Sequence, residues 1–197
     1  LFNMIELSLS ELAEETIVDF IRNFSNGKKV VVGLSGGIDS SLVLYLLVKA
    51  IGKENVIGVH LPEKTTNPKD TEDVKKIASI NGIDLIIEYL DDYIQPFKKN
   101  IKDIRILGNV KARLRMVYLY SISNSIGGLV SGTSNKSELL TGYFTKYGDG
   151  AADFYPIGDL YKTQVRLFAK KIGIPEEIIN KIPTAGLWEN QTDEGEL

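Results

Sequence analysis

The apolar run Val30-Val31-Val32-Gly33-Leu34 leads directly into Ser35-Gly36-Gly37-Ile38-Asp39-Ser40-Ser41, which leads directly into Leu42-Val43-Leu44-Tyr45-Leu46-Leu47. A β-branched run, a tight glycine turn and a helix start in immediate succession leave one economical solution: a buried strand, a turn and a helix packed back on it. The junction gathers unpaired backbone N–H groups and the positive end of a helix dipole at one point. Phosphate binds readily at such a point, and Asp39 is placed to hold a divalent cation beside it. The plainer alternative is an ordinary strand-to-helix turn with Asp39 or Ser40 as helix N-cap. Two adjacent glycines flanked by Ser35, Asp39, Ser40 and Ser41 weigh toward the phosphate site.

The spacing excludes the commonest nucleotide loops. A Walker A loop needs a lysine at the helix start, and Gly37 is followed by Ile38 and Asp39 instead. Gly33, Gly36 and Gly37 do not supply the G-x-G-x-x-G of a dinucleotide fingerprint. The net charge of −3 gives no basic footprint for nucleic acid. No stretch approaches the roughly 20 apolar residues that a membrane-spanning helix needs. The absence of cysteine removes disulfides, thiolate catalysis and Cys-based metal sites together. The N-terminal stretch lacks a basic n-region, so the N-x-[ST] matches at Asn23, Asn135 and Asn190 are read as accidental and a cytoplasmic location is expected.

Along the 197 residues a single domain is expected. Ser8 to Phe24 reads as an amphipathic helix with a capping box of Ser8 and Glu11. Lys29 to Leu34 is the first strand, and Ser40 to Ile51 the helix after it, closed by Gly52. Asn55 to His60 is the second strand, Asp70 to Asn81 a helix ended by Gly82, and Ile83 to Tyr89 the third strand. Val110 to Ile126 is a longer helix and Gly128 to Gly132 the fourth strand. Lys162 to Ile172 and Glu176 to Lys181 are late helices, the latter with Pro175 at its first position. Alternating strands and helices predict an α/β fold: a doubly wound, mainly parallel sheet flanked by helices and joined by right-handed crossovers. Ligands in such sheets sit beyond the carboxyl ends of the strands, so the Ser35 and Thr133 loops should face one crevice.

The stretch from Thr133 to Lys162 is dense in glycine, acid, lysine and aromatic residues, a composition of loops rather than of packed elements. Its motifs make a resemblance specific. SGGIDSS is similar to the pyrophosphate loop of the ATP pyrophosphatases, which cleave ATP between its α- and β-phosphates. GNVKARLRM (Gly108 to Met116), SGTSNKSE (Ser131 to Glu138), GYFTKYGDG (Gly142 to Gly150), PIGDLYKTQVR (Pro156 to Arg166) and PTAGLWENQTDE (Pro183 to Glu194) follow it in order. Together they resemble the ammonia-dependent NAD synthetases from about Val30 to the last residue, which implies a Rossmann-like fold of the adenine nucleotide alpha hydrolase type.

The resemblance implies a two-step amidation of deamido-NAD (nicotinic acid adenine dinucleotide): ATP adenylates the nicotinate carboxylate, then ammonia displaces AMP. It implies that Gly33, Leu34, Ser35, Gly36, Gly37, Ile38, Asp39 and Ser40 line the ATP site, with Thr133, Lys162 and Thr184. It places Mg²⁺ on Asp39 and Glu138, and deamido-NAD on Arg113, Lys146 and Asp153, with Arg115 the competitor of Arg113 by spacing. Asp149 matches an acid near the ammonia site, and Lys162 is placed to neutralise departing pyrophosphate. His60, the single histidine, reads as a loop or core residue rather than a catalyst, and Trp188, Tyr118 and Tyr120 read as packing or subunit contacts. A homodimer with the dinucleotide at its interface is implied, with the tyrosine-bearing helix from Val110 to Ile126 as the candidate surface. The sequence departs from the family in one place: it stops at Leu197, where the family pattern continues into a helical tail with a His-Lys pair. With no cysteine to serve a glutaminase, nitrogen is expected from free ammonia.

Overall fold

The computed structural model describes residues 8–181. Its centre is a parallel sheet of β1 (Val30–Gly33), β2 (Val56–His60), β3 (Asp84–Ile87) and β4 (Leu129–Ser131), in the order β3-β2-β1-β4. The register pairs Val32 with Gly58 on one side and with Ser131 on the other. Strand order reverses between β1 and β4, so the loops leaving those two strands diverge and open a crevice between them. The doubly wound expectation is met.

The central strand β1 is short and apolar on both faces because helices cover both. Val30 and Val32 pack with Leu42, Leu46 and Phe168 against α2 (Ile38–Ile51) and α7 (Lys162–Ile172). Val31, between them, points the other way, to Met116 and Leu119 of α5 (Ile104–Ser125). The period-2 alternation of β1 therefore places alternate valines in two different cores. Each fully buried valine or leucine contributes about 1.5–3 kcal/mol relative to exposure, which fixes β1 and the turn after it.

Several boundaries differ from the sequence reading. The first helix, α1, begins at Ala13, and the Ser8–Glu11 capping box does not form. The Ser8 carbonyl accepts from Gln164 Nε2 at 2.8 Å, and Ser10 Oγ takes the Leu12 N–H at 3.3 Å, so the chain makes a turn before it winds up. The next helix, α3 (Pro68–Asn81), starts two residues early, with Asn67 accepting from Lys69 N. A helix at α4 (Asp91–Lys98) was not expected. The helix expected from Val110 begins at Ile104, because the Asp103 carboxylate caps it by accepting from Arg105 N and Ile106 N at 2.8 and 3.2 Å. The stretch after β4 is not loop throughout: α6 (Lys136–Thr141) is a short helix with a reciprocal Asn135–Glu138 capping box. Finally α8 is Glu176–Ile179, with Pro175 as its N-cap rather than its first helical residue.

Candidate active site

The crevice beyond the strand ends has a volume of about 530 Å³ and runs from the Ser35 turn to Asp149. At one end, Gly37 adopts extended backbone before α2 begins. Hydroxyls brace the turn: Ser40 Oγ accepts from Ser35 N at 3.3 Å and donates to the Gly37 carbonyl at 3.2 Å, while Ser41 Oγ reaches the same carbonyl at 2.8 Å. Ser35 Oγ accepts from Gly37 N at 3.2 Å. The turn is thus preformed, with its N–H groups on weak local acceptors that an anion would replace. Gly36 requires its missing Cβ: its φ is +79°, and a Cβ would lie 2.7 Å from the Asp70 carbonyl oxygen of α3.

The second constellation meets the first. The Asn135 side chain, fully buried, donates to Asp39 Oδ1 at 3.0 Å and caps α6 by accepting from Glu138 N at 3.0 Å. Glu138 Oε2 returns the bond by accepting from Asn135 N at 3.1 Å. Lys162, at the first position of α7, has its backbone N–H on Ser137 Oγ at 3.2 Å. Its ammonium pairs with Asp39 Oδ2 and lies 3.8 Å from Glu138 Oε1. Residues almost a hundred positions apart are therefore bonded directly, and the Lys162 ammonium marks the point on which two carboxylates converge.

At the far end, Thr145 N donates to Asp149 Oδ1 at 2.9 Å and Thr145 Oγ1 meets Asn109 Oδ1 at 2.8 Å. Asp149 is open to the crevice, yet the surrounding walls exclude enough water to push its carboxyl above the ordinary aspartate pKa, against the Thr145 bonds and the Arg115 charge that pull it down. Arg115 lines this wall, held by its Nε on the Leu61 carbonyl at 3.1 Å and by buried Glu63 at 3.7 Å, which also pairs with Lys111 at 2.9 Å.

Of the predicted site residues, Gly33, Leu34, Ser35, Gly37, Ile38, Asp39, Ser40, Thr133, Glu138, Asp149 and Lys162 line the crevice. Gly36 is not part of the lining, and its carbonyl accepts from Lys181 Nζ at 3.0 Å. Arg113, Lys146 and Asp153 lie outside the lining: Arg113 Nε donates to the Lys146 carbonyl at 3.1 Å, and Asp153 Oδ2 accepts from Val130 N at 2.7 Å on the edge of β4. Thr184 and Trp188 fall outside the described residues. Lys181 lines the crevice without having been singled out, and its neighbours Asp70 and Asp73 are at α3 spacing that reads as ordinary helix surface. His60 also lines it, with Nδ1 donating to the Leu34 carbonyl at 2.8 Å and Nε2 against Thr71 Oγ1 at 2.9 Å. Burial pushes its pKa below the ordinary histidine value, so it is a neutral brace between strand ends and α3.

A parallel sheet whose reversal point carries a glycine turn, a carboxylate pair and a lysine defines an ATP-binding α/β protein with its chemistry at the strand carboxyl ends. Residues 13–197 match the NAD synthase family model. The chain is 49% identical over 193 residues to the NH(3)-dependent NAD(+) synthetase of Methanococcoides burtonii, covering 94% of this chain and 73% of that one. It is 50% identical over 203 residues to that of Methanocaldococcus jannaschii, covering 96% and 76%. Among solved structures it is similar to the NMN synthetase from Francisella tularensis (TM-score 0.90, 34% identity, 96% of this chain and 82% of that one). It is also similar to the NH3-dependent NAD synthetase from Campylobacter jejuni in complex with the nitrate ion (TM-score 0.80, 40% identity, 85% and 75%). The chain belongs to the NAD synthase family.

Proposed function

We infer that this chain is an ammonia-dependent NAD synthetase, converting deamido-NAD, ATP and ammonia to NAD, AMP and pyrophosphate. The observation that carries the reading is the single crevice that joins the SGGIDSS turn, Glu138 and Lys162 at one end to Asp149 at the other. The preformed N–H groups of the Ser35–Ser40 turn receive the phosphates and set the α-phosphorus toward the open middle of the crevice. The nicotinate carboxylate attacks there, pyrophosphate leaves, and Lys162 neutralises the charge that builds on it. Ammonia then attacks the acyl-adenylate carbonyl and AMP leaves. Asp149 binds ammonium from solution and takes a proton as the amine forms its C–N bond.

The residues fit Mg²⁺. Asp39 and Glu138 present hard oxygens to the point now held by the Lys162 ammonium, and Mg²⁺ is usually bound by one or two carboxylates plus phosphates, keeping several waters. Bound between Asp39, Glu138 and the phosphates, it would supply charge neutralisation for P–O cleavage.

For the dinucleotide we propose Arg113, Lys146 and Asp153 on the outer flank of α5. Arg113, Val117 and Tyr120 share one helix face; Tyr120 OH reaches Asp153 Oδ1 at 3.4 Å, and Val117 between them is 66% exposed. With these residues outside the crevice, we propose a homodimer that covers this face and shares the substrate, as the family resemblance implies. Among the described residues no helix is long and apolar enough to cross a membrane, and the absence of cysteine supports a cytoplasmic setting.

Incubated with ATP, Mg²⁺, ammonium and deamido-NAD, the full chain should release NAD, AMP and pyrophosphate in equal amounts. ADP as product, or AMP formation indifferent to deamido-NAD, would overturn the reading. Because an NMN synthetase shares the fold, nicotinate mononucleotide should be offered in parallel, and deamido-NAD is expected to be the faster acceptor.

Asp149→Asn isolates the ammonia step. It should raise KM for ammonium and lower kcat by about 10²-fold, within the usual contribution of a general base, while KM for ATP stays near wild type. Since enclosure raises the Asp149 pKa, the carboxylate forms at higher pH than an ordinary aspartate. The acid limb of the wild-type rate profile at limiting ammonium should therefore lie above the ordinary aspartate range, and the variant should lose it. Full amidation by Asp149→Asn at low ammonium would remove the role.

A further inference from the structure

Lys181 lines the crevice beside the phosphate turn, and no step above uses it. Its ammonium donates to the Gly36 carbonyl at 3.0 Å and to Asp70 Oδ1 at 2.8 Å, and pairs with Asp73 Oδ2 at 2.7 Å. The Asp73 side chain is only 6% exposed, so this charge is held from the interior. A lysine ammonium has three N–H groups, and three protein oxygens surround this one. Two of those N–H groups are committed as hydrogen bonds to the Gly36 carbonyl and Asp70, and the Asp73 charge holds the ammonium in place.

What it holds is a peptide plane. In a trans peptide the C=O and the following N–H point in opposite directions. Drawing the Gly36 carbonyl toward Lys181 therefore turns the Gly37 N–H the opposite way, toward Ser35 Oγ on the crevice side. A peptide between two glycines flips at little torsional cost, because neither residue has a Cβ to oppose the new backbone angles. The turn's own hydroxyl bonds to the Gly37 carbonyl fix the next peptide, and on this one they supply only Ser35 Oγ at 3.2 Å, on its N–H side. Among the side chains of the described residues, Lys181 supplies the bond to the Gly36 carbonyl.

We propose that Lys181 is a positioning residue for ATP, clamping the Gly36–Gly37 peptide so that the Gly37 N–H faces the pyrophosphate. The inference rests on the ATP-site reading above and assigns a determinant of it that acts through the backbone of the turn.

The test uses the full chain and the non-cleavable probe α,β-methylene-ATP with Mg²⁺, titrated calorimetrically, together with steady-state kinetics. Lys181→Met should weaken probe binding and raise KM for ATP by about 10-fold or more, the scale of one charged hydrogen bond. KM for deamido-NAD and ammonium should stay within about twofold, a split that general loss of structure would not produce. Lys181→Arg, which keeps a donor for the Gly36 carbonyl, should recover most of the affinity. Lys181→Met also strands the Asp73 charge, so the double variant with Asp73→Asn is the control. Weak probe binding that persists in the double variant supports the clamp; affinity that returns there overturns it, since the stray carboxylate would then be the cause. Wild-type affinity in Lys181→Met overturns the clamp alone. A wild-type chain that binds no probe overturns the ATP reading and the clamp with it.

Discussion

Replacing Lys162 with methionine is expected to lower kcat by about 10²–10³-fold, the usual loss when a preorganised charge facing a leaving group is removed. Methionine keeps most of the stem and a good helix propensity, so α7 should remain intact. The backbone N–H of residue 162 would still reach Ser137 Oγ, which anchors the helix start whatever the side chain. What is lost is the cation between Asp39 and Glu138. Without it, the charge on departing pyrophosphate meets one positive group fewer. A rise in KM for ATP should accompany the fall in kcat, but the fall should dominate, because leaving-group charge grows toward the transition state. Pyrophosphate release at saturating ATP and deamido-NAD measures it directly. A kcat within about threefold of wild type would place Lys162 outside the leaving-group field and reduce it to a binding residue.

The sheet was legible because valine-rich runs between helix patterns have one economical packing, and because Gly52 and Gly82 stop their helices where expected. The shared crevice was legible for the same reason: in a doubly wound sheet, loops after adjacent strands at the reversal point diverge and flank one crevice. The helix at Lys136–Thr141 was missed although Asn135 and Glu138 carry a capping-box spacing, because the surrounding glycines and charges read as loop. The helix at Asp91–Lys98 contains Pro96, whose presence argues against a helix in any sequence reading; in a helix only 8 residues long the lost bond is close to one end. At Ser8–Glu11 the motif was present, but the Ser8 carbonyl is tied to Gln164 and the helix begins only at Ala13. The Lys181 clamp was invisible for a different reason. Lysine and aspartate outside a motif describe a solvated surface in most chains, and only the fold brings Asp70, Asp73 and the Gly36 carbonyl around the Lys181 ammonium.

Gly36→Ala should damage both the fold and the ATP site, and the two effects can be separated. A residue other than glycine at φ +79° pays about 1–2 kcal/mol for the left-handed backbone alone. The added Cβ would also sit 2.7 Å from the Asp70 carbonyl oxygen, a backbone atom near the start of α3 that cannot swing aside. Relief requires the turn to lift from α3, which breaks the Lys181 bond to the Gly36 carbonyl. The unfolding temperature should fall by about 2–4 °C for each kcal/mol lost in a chain of this size. Affinity for Mg²⁺ and α,β-methylene-ATP should fall by about 10²-fold or more, because the N–H groups that greet the phosphates move with the turn. Gly37→Ala is the internal control for the fold: its φ is −93°, and the nearest atom to its Cβ is Ser35 Oγ at 3.3 Å, the end of a short rotatable side chain. Its stability should stay within about 1 kcal/mol of wild type, whatever the Cβ does to phosphate approach. Were Gly36→Ala as stable as Gly37→Ala, the contact with α3 would not be holding the turn, and its glycine would be needed only for room around phosphate.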